Sequence, residues 1–475
     1  MRRVLCLFYY FPPTGGAGAL RCLAYARGLL EHGWRADVVA PSGPVYHTPG
    51  EDLLSCVPPD VRVHRTRNFE VRRLFAPLRA LGIPLETVAR LARAVCLPDY
   101  QAGWIPFACA EADRLLRGER FDAILSSGAP WSAHLAAGRL ARGHKLPWVA
   151  TFADEWSTAT EVPMASAFHR HLHRRWERRV LASSLPAAAT RGVAEALRRA
   201  HPGLDLEVEI VGNGYEEADF AGRSGRRPDR FTLLFAGSVY AQKAPWTLLE
   251  ALALLLRKRP SERDAIRLRV LGHPDPDFSA RVRALGLADL VMAEGARPHA
   301  EAVQAMLDAH VLVAEIAPHP GAAAVRPVKL LEYLRAGNPI LGVFPPGEAA
   351  DLLARFPDCA PVAPGDAGAA AGALAAWLTR WREGVWPGPG PGPDPAPRPR
   401  DRLAEGPVVP GAAHLRAPNR RPGLHRLSVE RDVRGPAHGA AHARPLWLWA
   451  PHARDGEGVL RQDPRREPAA ARGPA

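Results

Sequence analysis

Short apolar runs with strand character alternate with segments of helical period along most of this chain, and the alternation starts twice. The first series opens with a strand at residues 4–10, a helix at 19–31 and a strand at 36–40. The second series opens at Phe231. Alternating strands and helices are typical of parallel sheets with helices on both faces. The sequence therefore predicts two α/β domains.

The later elements of both series follow the same pattern. In the first series we predict two more strands, at residues 123–126 and Trp148–Phe152, and two more helices, at residues 132–142 and Ala167–Ser183. In the second series we predict strands at Phe231–Ala236, Ile266–Leu271, 290–292, Val311–Glu315 and 340–344. The helices predicted between and after them are Trp246–Lys258, 300–309, Val328–Ala336 and Ala367–Arg382. The turn-rich stretch 211–227 separates the two series, so the predicted domains are residues 1–215 and 216–385.

The composition changes after the second domain. Residues 387–400 alternate proline with glycine, alanine, aspartate and arginine, and 17 of the 48 prolines follow residue 386. Such a segment cannot bury enough apolar surface to offset its ordering entropy. We predict a disordered tail over residues 386–475; a frameshifted translation of GC-rich DNA would have the same composition.

The net charge of +13 comes almost entirely from arginine, because lysine occurs only at Lys145, Lys243, Lys258 and Lys329. Such an excess is compatible with nucleic acid, an anionic membrane surface or a phosphorylated substrate, and codon bias explains it equally well. No apolar run reaches the roughly 18 residues of a membrane span. The apolar start ends in a Pro-Pro pair without a signal-peptide cleavage site, so we expect a cytoplasmic protein.

The first candidate site is the glycine-rich turn at residues 11–18, which follows a strand and precedes a helix. Gly15 and Gly16 let the backbone approach a diphosphate, and the helix N-terminus offers free N–H groups. The spacing is not GxGxxG, so the turn does not specifically indicate a dinucleotide. A tight turn without a ligand accounts for the same glycines.

The second candidate site follows the strand Phe231–Ala236, which leads into Gly237 and Ser238, with Lys243 shortly after. Lysine is a compact, mobile charge that suits phosphate oxygens. A lysine kept here in an arginine-rich chain favours phosphate binding, and the alternative is a solvated lysine at a helix start.

The third candidate site is the helix Val328–Ala336, which Pro327 begins and Gly337 ends. Lys329 and Glu332 are three residues apart and therefore share a face of the helix. They form either an ordinary ion pair, or a site in which Lys329 contacts a diphosphate and Glu332 accepts hydrogen bonds from ribose hydroxyls.

The pattern Pro-x-Lys-x-x-Glu-Tyr-Leu-x-x-Gly-x-Pro at residues 327–339 resembles the donor-site helix of the family 4 glycosyltransferases. Three other stretches agree in order and spacing. Residues 11–27 resemble the family's opening glycine loop and helix, residues 211–220 its interdomain segment, and residues 295–315 the region before the donor helix. The resemblance covers residues 1–385.

The resemblance implies a GT-B fold, in which two Rossmann-like domains enclose a cleft. It implies that a sugar is transferred with retention from a nucleotide-diphosphate sugar to a saccharide or lipid-linked acceptor of the cell envelope or an exopolysaccharide, without metal or cofactor. The N-terminal domain would bind the acceptor. Glu332 would bind the donor ribose, and the donor diphosphate would contact Gly15, Gly16, Gly237, Ser238, Lys243 and Lys329.

The chain departs from the family pattern at two places. Many members have a second glutamate eight residues before the position of Glu332, where this chain has Ala324. Many members also have a histidine after the strand that corresponds to Trp148–Phe152, where this chain has Asp154. The Asp-x-Trp pattern there resembles exopolysaccharide and capsule transferases. Asp154 is the candidate catalytic residue, orienting acceptor or donor sugar, and the alternative is a cap of the following segment.

Two other functions remain open from the sequence. A nucleotide-sugar epimerase could share the fold and the donor site. The net charge also fits a basic nucleic-acid-binding protein, although the chain has no recognisable binding module, so we expect no nucleic-acid partner. The arginine-rich helix Ala167–Ser183 fits an anionic membrane surface equally well, which would place the protein peripherally at the inner face of the cell membrane.

Overall fold

The computed structural model describes residues 1–42, 50–69, 75, 77, 81–158, 164–237, 239, 244–272, 274 and 276–386. These residues form two parallel sheets, one in each half of the chain. The tail predicted beyond Trp386 lies outside the described residues. No helix in the described part of the chain is both long enough and apolar enough to cross a membrane.

The first sheet has seven strands in the order β3-β2-β1-β4-β5-β6-β7, all paired in parallel. They are β1 (Arg2–Leu7), β2 (Trp34–Pro41), β3 (Arg62–Thr66), β4 (Ala123–Gly128), β5 (Trp148–Phe152), β6 (Leu185–Ala188) and β7 (Glu209–Ile210). The helices of this domain are α1 (Ala17–Glu31), α2 (Leu85–Val95), α3 (Ile105–Gly118), α4 (Ser132–His144), α5 (Ala167–Ser183) and α6 (Arg191–Ala200), with 3-10 turns at Glu51–Cys56 and Ala102–Trp104.

The second sheet has six strands in the order β10-β9-β8-β11-β12-β13, again parallel. They are β8 (Phe231–Ala236), β9 (Ile266–Leu271), β10 (Val291–Gly295), β11 (Val311–Glu315), β12 (Ile340–Val343) and β13 (Ala360–Val362). The helices after β7 are α7 (Glu217–Phe220), α8 (Trp246–Lys258), α9 (Pro276–Ala284), α10 (His299–Asp308), α11 (Val328–Ala336), α12 (Glu348–Leu353) and α13 (Ala367–Arg382), with 3-10 turns at Pro260–Ala265 and Ala322–Ala324.

Each sheet has a core on both faces, because successive side chains of a strand point to opposite sides. In the second domain, Leu233 and Phe235 pack with α8 and α13, whereas Leu234 and Ala236 pack with α10 and α11. In the first domain, Cys6 packs with α1 on one face while Leu5 and Leu7 pack with α3 and α4 on the other. The predicted pair of α/β domains is therefore confirmed.

The order of strands reverses next to β1 in the first sheet and next to β8 in the second. In sheets of this kind, ligands bind beyond the carboxyl ends of the strands at such reversal points. Two of the predicted glycine turns lie there. Gly15 and Gly16 follow β1, and Gly237 follows β8.

The last described helix, α13, packs within the second domain. Leu374, Trp377 and Leu378 lie in the core that this helix shares with α8. The chain then folds back, so that the Trp386 ring lies 5.6 Å from Phe231 between ring centroids. The packed part of the second domain thus extends one residue beyond the predicted end at Val385.

We predict that Trp386→Ala lowers the free energy of unfolding of the second domain by about 1–2 kcal/mol, because a partly buried indole is lost from the aromatic cluster. Val385→Ala is the matched control, since Val385 is 61% exposed, and should change it by less than about 0.5 kcal/mol. Urea unfolding of the two variants measures the difference. Equal stabilities would show that Trp386 does not pack on the domain.

Candidate active site between the two domains

Loops at the carboxyl ends of the two sheets meet each other. The first domain contributes residues that follow β2 and β6, and the second contributes residues that follow β10, β11 and β12. Hydrogen bonds that join them include Thr190 Oγ1 to Ala324 O (2.8 Å), Gly192 N to Glu348 Oε1 (2.7 Å) and His299 N to Asp52 Oδ2 (2.8 Å). The carboxyl edges of both sheets therefore face a common cleft.

The second-domain wall of this cleft brings two of the predicted sites together. Helix α11 follows Pro327 and ends at Gly337, which has a left-handed φ of 78°. The hydroxyl of Tyr333 accepts a hydrogen bond from Ala236 N at 3.0 Å and so ties α11 to the end of β8. As a result, Lys329 Nζ lies 3.6 Å from the position that a Cβ at Gly237 would occupy.

Gly237 contributes space rather than a donor. Its own N–H donates to Leu271 O at 2.7 Å and is not available to a phosphate. A side chain at this position would lie against Lys329 and restrict access to its amino group. Ser238 and Lys243, the other two residues predicted for this turn, lie outside the described residues.

Glu332 lies one helical turn from Lys329 and is 6% exposed. Burial raises the pKa of Glu332, while the positive charges of His299 and Lys329 act in the opposite direction. His299 Nε2 lies 2.9 Å from Asp219 Oδ2. Burial opposes the positive charge of His299, but the bond to Asp219 and the charge of Glu332 outweigh burial and raise the His299 pKa. These four side chains form one charge cluster.

The sequence interpretation gave no role to His299. The residue begins α10 just after β10 and therefore lies at the carboxyl edge of the sheet. A Pro-His pair at a predicted strand-to-helix junction is the signal that could have indicated it.

On the first-domain wall, Gly16 precedes α1 with a φ of 89°, a left-handed conformation that favours glycine. Gly15 lies against the backbone of Gly50, where an added Cβ would come within 2.6 Å of Gly15 Cα. The two predicted glycines thus form a closely packed turn at the N-terminus of a helix.

Asp154 is exposed on the loop that follows β5. The helix after this loop, α5, is capped by Ser166, whose hydroxyl accepts from His169 N. Asp154 therefore does not cap α5, and its alternative role as a cap of the segment directly after it stays a prediction. Its neighbour Glu155 extends toward the second domain, where Oε1 lies 3.7 Å from a Cβ built at Gly321.

Buried bonds hold the Asp154 loop in place. Trp156 is fully buried and stacks on Trp131, with ring centroids 4.9 Å apart. Its indole donates to His173 Nδ1 on α5 at 2.9 Å. The hydroxyl of Ser157 donates to Glu177, which also lies 2.8 Å from His201 Nε2. The loop is thereby attached to α5 and to the end of α6.

Ala324, where many family members have a glutamate, serves in the domain contact. A Cβ built at Gly192 would lie 2.6 Å from Ala324 Cβ, which is closer than atoms approach. Ala324 therefore lies directly against Gly192 of the first domain. The departure from the family pattern therefore accompanies a close contact between the domains.

The comparisons with known proteins agree with this arrangement. A family model described as the glycosyl transferase 4-like domain matches residues 16–214, which run from the loop after β1 to the segment after β7. The first domain of the chain is therefore similar to the family 4 glycosyltransferases.

Curated proteins similar to this chain include D-inositol 3-phosphate glycosyltransferases. Those of Frankia alni and Thermobifida fusca are 36% identical over 107 residues and 38% identical over 109 residues. The matches cover 21% and 22% of this chain, and 26% and 24% of the relatives. The chain thus spans about a quarter of the length of the curated relatives that it matches.

Two solved structures are similar to this chain in fold. HepE of Anabaena, in complex with UDP and glucose, has a TM-score of 0.54 and 14% identity, covering 81% of this chain and 92% of HepE. An α,α-trehalose-phosphate synthase of Burkholderia xenovorans, in complex with glucose-6-phosphate, has a TM-score of 0.56 and 14% identity, covering 79% and 92%. The expected GT-B fold is confirmed.

A buried carboxyl at the end of β11 lies at the same sheet edge. Glu315 Oε1 accepts from Thr247 N (3.1 Å) and Thr247 Oγ1 (2.8 Å), whereas Oε2 has no hydrogen-bond partner among the described residues. Burial raises the pKa of Glu315 from 4.5 to about 7, against the bonds from Thr247. A raised pKa means that the folded state binds the proton more tightly than the unfolded state.

The contribution of Glu315 to stability is therefore full below its unfolded pKa of 4.5 and is lost as the pH rises through about 7. We predict that Glu315→Gln, which cannot ionise, gains about 1–3 kcal/mol relative to the wild type between pH 5 and pH 8. Urea unfolding across this range measures the gain, with the exposed Glu301→Gln as control. A difference that does not change with pH would contradict the prediction.

Proposed function

We propose that this protein is a retaining glycosyltransferase that takes a sugar from a nucleotide-diphosphate donor and transfers it to an acceptor bound by the first domain. The observation that carries the proposal is the position of Lys329 beside the Gly237 turn, with Glu332 one helical turn away, at the reversal point of the second sheet. The donor lies in the second domain, with its diphosphate at Lys329 and its ribose at Glu332.

The chemistry follows from where charge develops. As the glycosidic bond breaks, negative charge builds on the diphosphate that leaves with the nucleoside. Lys329 and the N-terminus of α11 place positive charge at that point before the reaction begins. Lys243 is proposed as a second cation from its place in the sequence. These lysines supply the positive charge, so the proposed reaction uses neither a metal ion nor another cofactor.

Glu332 suits ribose because a carboxylate accepts hydrogen bonds from two adjacent hydroxyls at once. The nearby charges of His299 and Lys329 favour its ionised form although it is buried. Asp219 fixes the imidazole of His299. Donor recognition is therefore proposed to involve His299 and Asp219 as positioning residues.

Transfer with retention keeps the acceptor hydroxyl on the face of the sugar from which the diphosphate leaves. We propose that the leaving phosphate oxygen takes the proton of this hydroxyl, so no protein base is assigned. Asp154 orients the acceptor or the transferred sugar from the loop after β5. Closure of the two domains excludes water and limits donor hydrolysis.

The acceptor is proposed to be a saccharide or lipid-linked precursor of the cell envelope or an exopolysaccharide. A surface of exposed apolar and basic side chains supports this class. Phe168, Arg175 and Arg179 lie on the side of α5 away from its buried residues, and we call this side the outer face. Phe168 is 66% exposed, and Val95 at the end of α2 is 64% exposed. His169 Nε2 lies 3.0 Å from Ala94 O, so the two helices lie next to each other.

We predict that Lys329→Ala weakens binding of both a nucleoside diphosphate and inorganic pyrophosphate by about 1.5–3 kcal/mol, because a charged hydrogen bond to phosphate is lost. Glu332→Gln should weaken only the nucleoside diphosphate, since pyrophosphate has no ribose. Calorimetry with UDP, GDP, ADP and dTDP identifies the base and measures both effects. Lys243→Ala tests the second proposed cation in the same way.

Lys258→Ala is the control for these variants, because it removes a lysine from the exposed end of α8. Unchanged nucleotide affinity in a folded Lys329→Ala protein would reject the donor site. Interconversion of free nucleotide sugars without a glycosylated product would identify an epimerase instead.

We predict that replacing Arg175 and Arg179 by Gln, together with Phe168→Ser, reduces flotation with anionic vesicles, with each basic contact worth about 1 kcal/mol near the surface. The control removes Arg257 and Arg283, two exposed arginines of the second domain. Flotation of the wild type with neutral and anionic vesicles alike, or with neither, would contradict peripheral membrane binding.

A further inference from the structure

A cavity of about 450 Å³ opens on the first domain between α5, α6 and the loop that follows β5. We call it the basic pocket. The side chains that matter for its chemistry are Arg170, His171, Arg174, Arg199, Ser157 and Thr158. None of these residues belongs to the donor site described above.

The lining of the basic pocket favours an anion. Among the described residues that line it, three carry guanidinium groups, one an imidazole and one, Glu155, a carboxylate. That carboxylate is already engaged, because Thr158 Oγ1 donates to Glu155 Oε2 at 2.7 Å. Arginine presents a planar fork of donors that matches the oxygens of phosphate groups.

The walls of the basic pocket are held in place before any ligand binds. Arg174 donates to Ala200 O through Nε (3.2 Å) and Nη2 (2.6 Å), which fixes its guanidinium across the gap between α5 and α6. Beneath the pocket, Glu177 binds both Ser157 and His201. Groups that are already fixed lose little entropy when a ligand binds.

The basic pocket shares its loop with the cleft. Glu155 lines the pocket and also approaches Gly321 of the second domain. Asp154 precedes it in the chain. An anion in the pocket would therefore lie on the proposed acceptor domain, against the same loop that reaches the cleft.

We propose that the basic pocket is a binding site for a phosphate or diphosphate group. That this group belongs to the acceptor rests on the function proposed above. Two sources share the chemistry: a soluble phosphorylated saccharide, and the headgroup or diphosphate of a lipid. The pocket and the outer face are separate surfaces of α5, so variants can distinguish them.

The test compares two double variants that each remove two charges from the same region. Arg170→Gln with Arg199→Gln changes the basic pocket, and Arg175→Gln with Arg179→Gln changes only the outer face. Both are made in a Lys329→Ala background, which removes the donor-side cation. Titration with inorganic pyrophosphate should show at least a tenfold loss of affinity for the pocket variant and less than a twofold loss for the control.

Equal losses in both double variants would overturn the proposal, because they would indicate general surface charge. Undetectable pyrophosphate binding in the Lys329→Ala background would overturn it as well. Vesicles of phosphatidylcholine with phosphatidic acid then identify the source. Reduced flotation of the pocket variant indicates a lipid phosphate, and unchanged flotation with reduced pyrophosphate affinity indicates a soluble one.

The two proposals fail separately. Pyrophosphate binding in the basic pocket of a protein that binds no nucleoside diphosphate would keep the anion site and reject the glycosyltransferase. Nucleotide binding that depends on Lys329, without pyrophosphate binding in the pocket, would keep the glycosyltransferase and reject the anion site.

Discussion

The close approach of Gly192 to Ala324 determines how the two sheets face each other. Only a residue without a side chain fits at position 192, since a Cβ there would overlap Ala324. The hydrogen bonds from Thr190 to Ala324 and from Gly192 to Glu348 fix the same contact from both sides. Because these residues lie at the carboxyl ends of their sheets, the contact brings loops of both domains to one cleft. Ala324, where many family members have a glutamate, therefore lies inside this contact.

Within the cleft, the main energetic constraint is the burial of charge. A carboxylate removed from water is costly unless neighbouring groups compensate it. Glu332 has two such neighbours, Lys329 on its own helix and His299 from α10. Asp219 holds His299 and thereby extends the cluster to the segment that links the domains. A ligand with a diphosphate and adjacent hydroxyls would complement both signs of charge, which is why the geometry favours a nucleotide donor over a single anion.

The elements that could be predicted from the sequence are those whose ends are encoded locally. Helix α11 has the predicted bounds because Pro327 begins it and Gly337 ends it. The edge strands β7 and β13 were missed, since two or three residues carry no readable period. The convergence of Lys329 on Gly237 followed from the family pattern. The proposed roles of His299 and Arg199 could not be predicted from that pattern. Each depends on partners or neighbours that are distant in sequence and that only the folded chain brings together.

The buried side of α5 links the basic pocket to the Asp154 loop. Burial lowers the pKa of His173 to about 4, and the nearby His169 adds to this effect. The imidazole is therefore neutral near pH 7. Its Nδ1 can accept a hydrogen bond from the indole N–H of Trp156, which can only donate. This bond keeps Trp156 stacked on Trp131 and so sets the path of the preceding residues, Asp154 and Glu155. Arg170 and Arg174, which line the basic pocket, therefore lie on the same helix that holds this loop through His173.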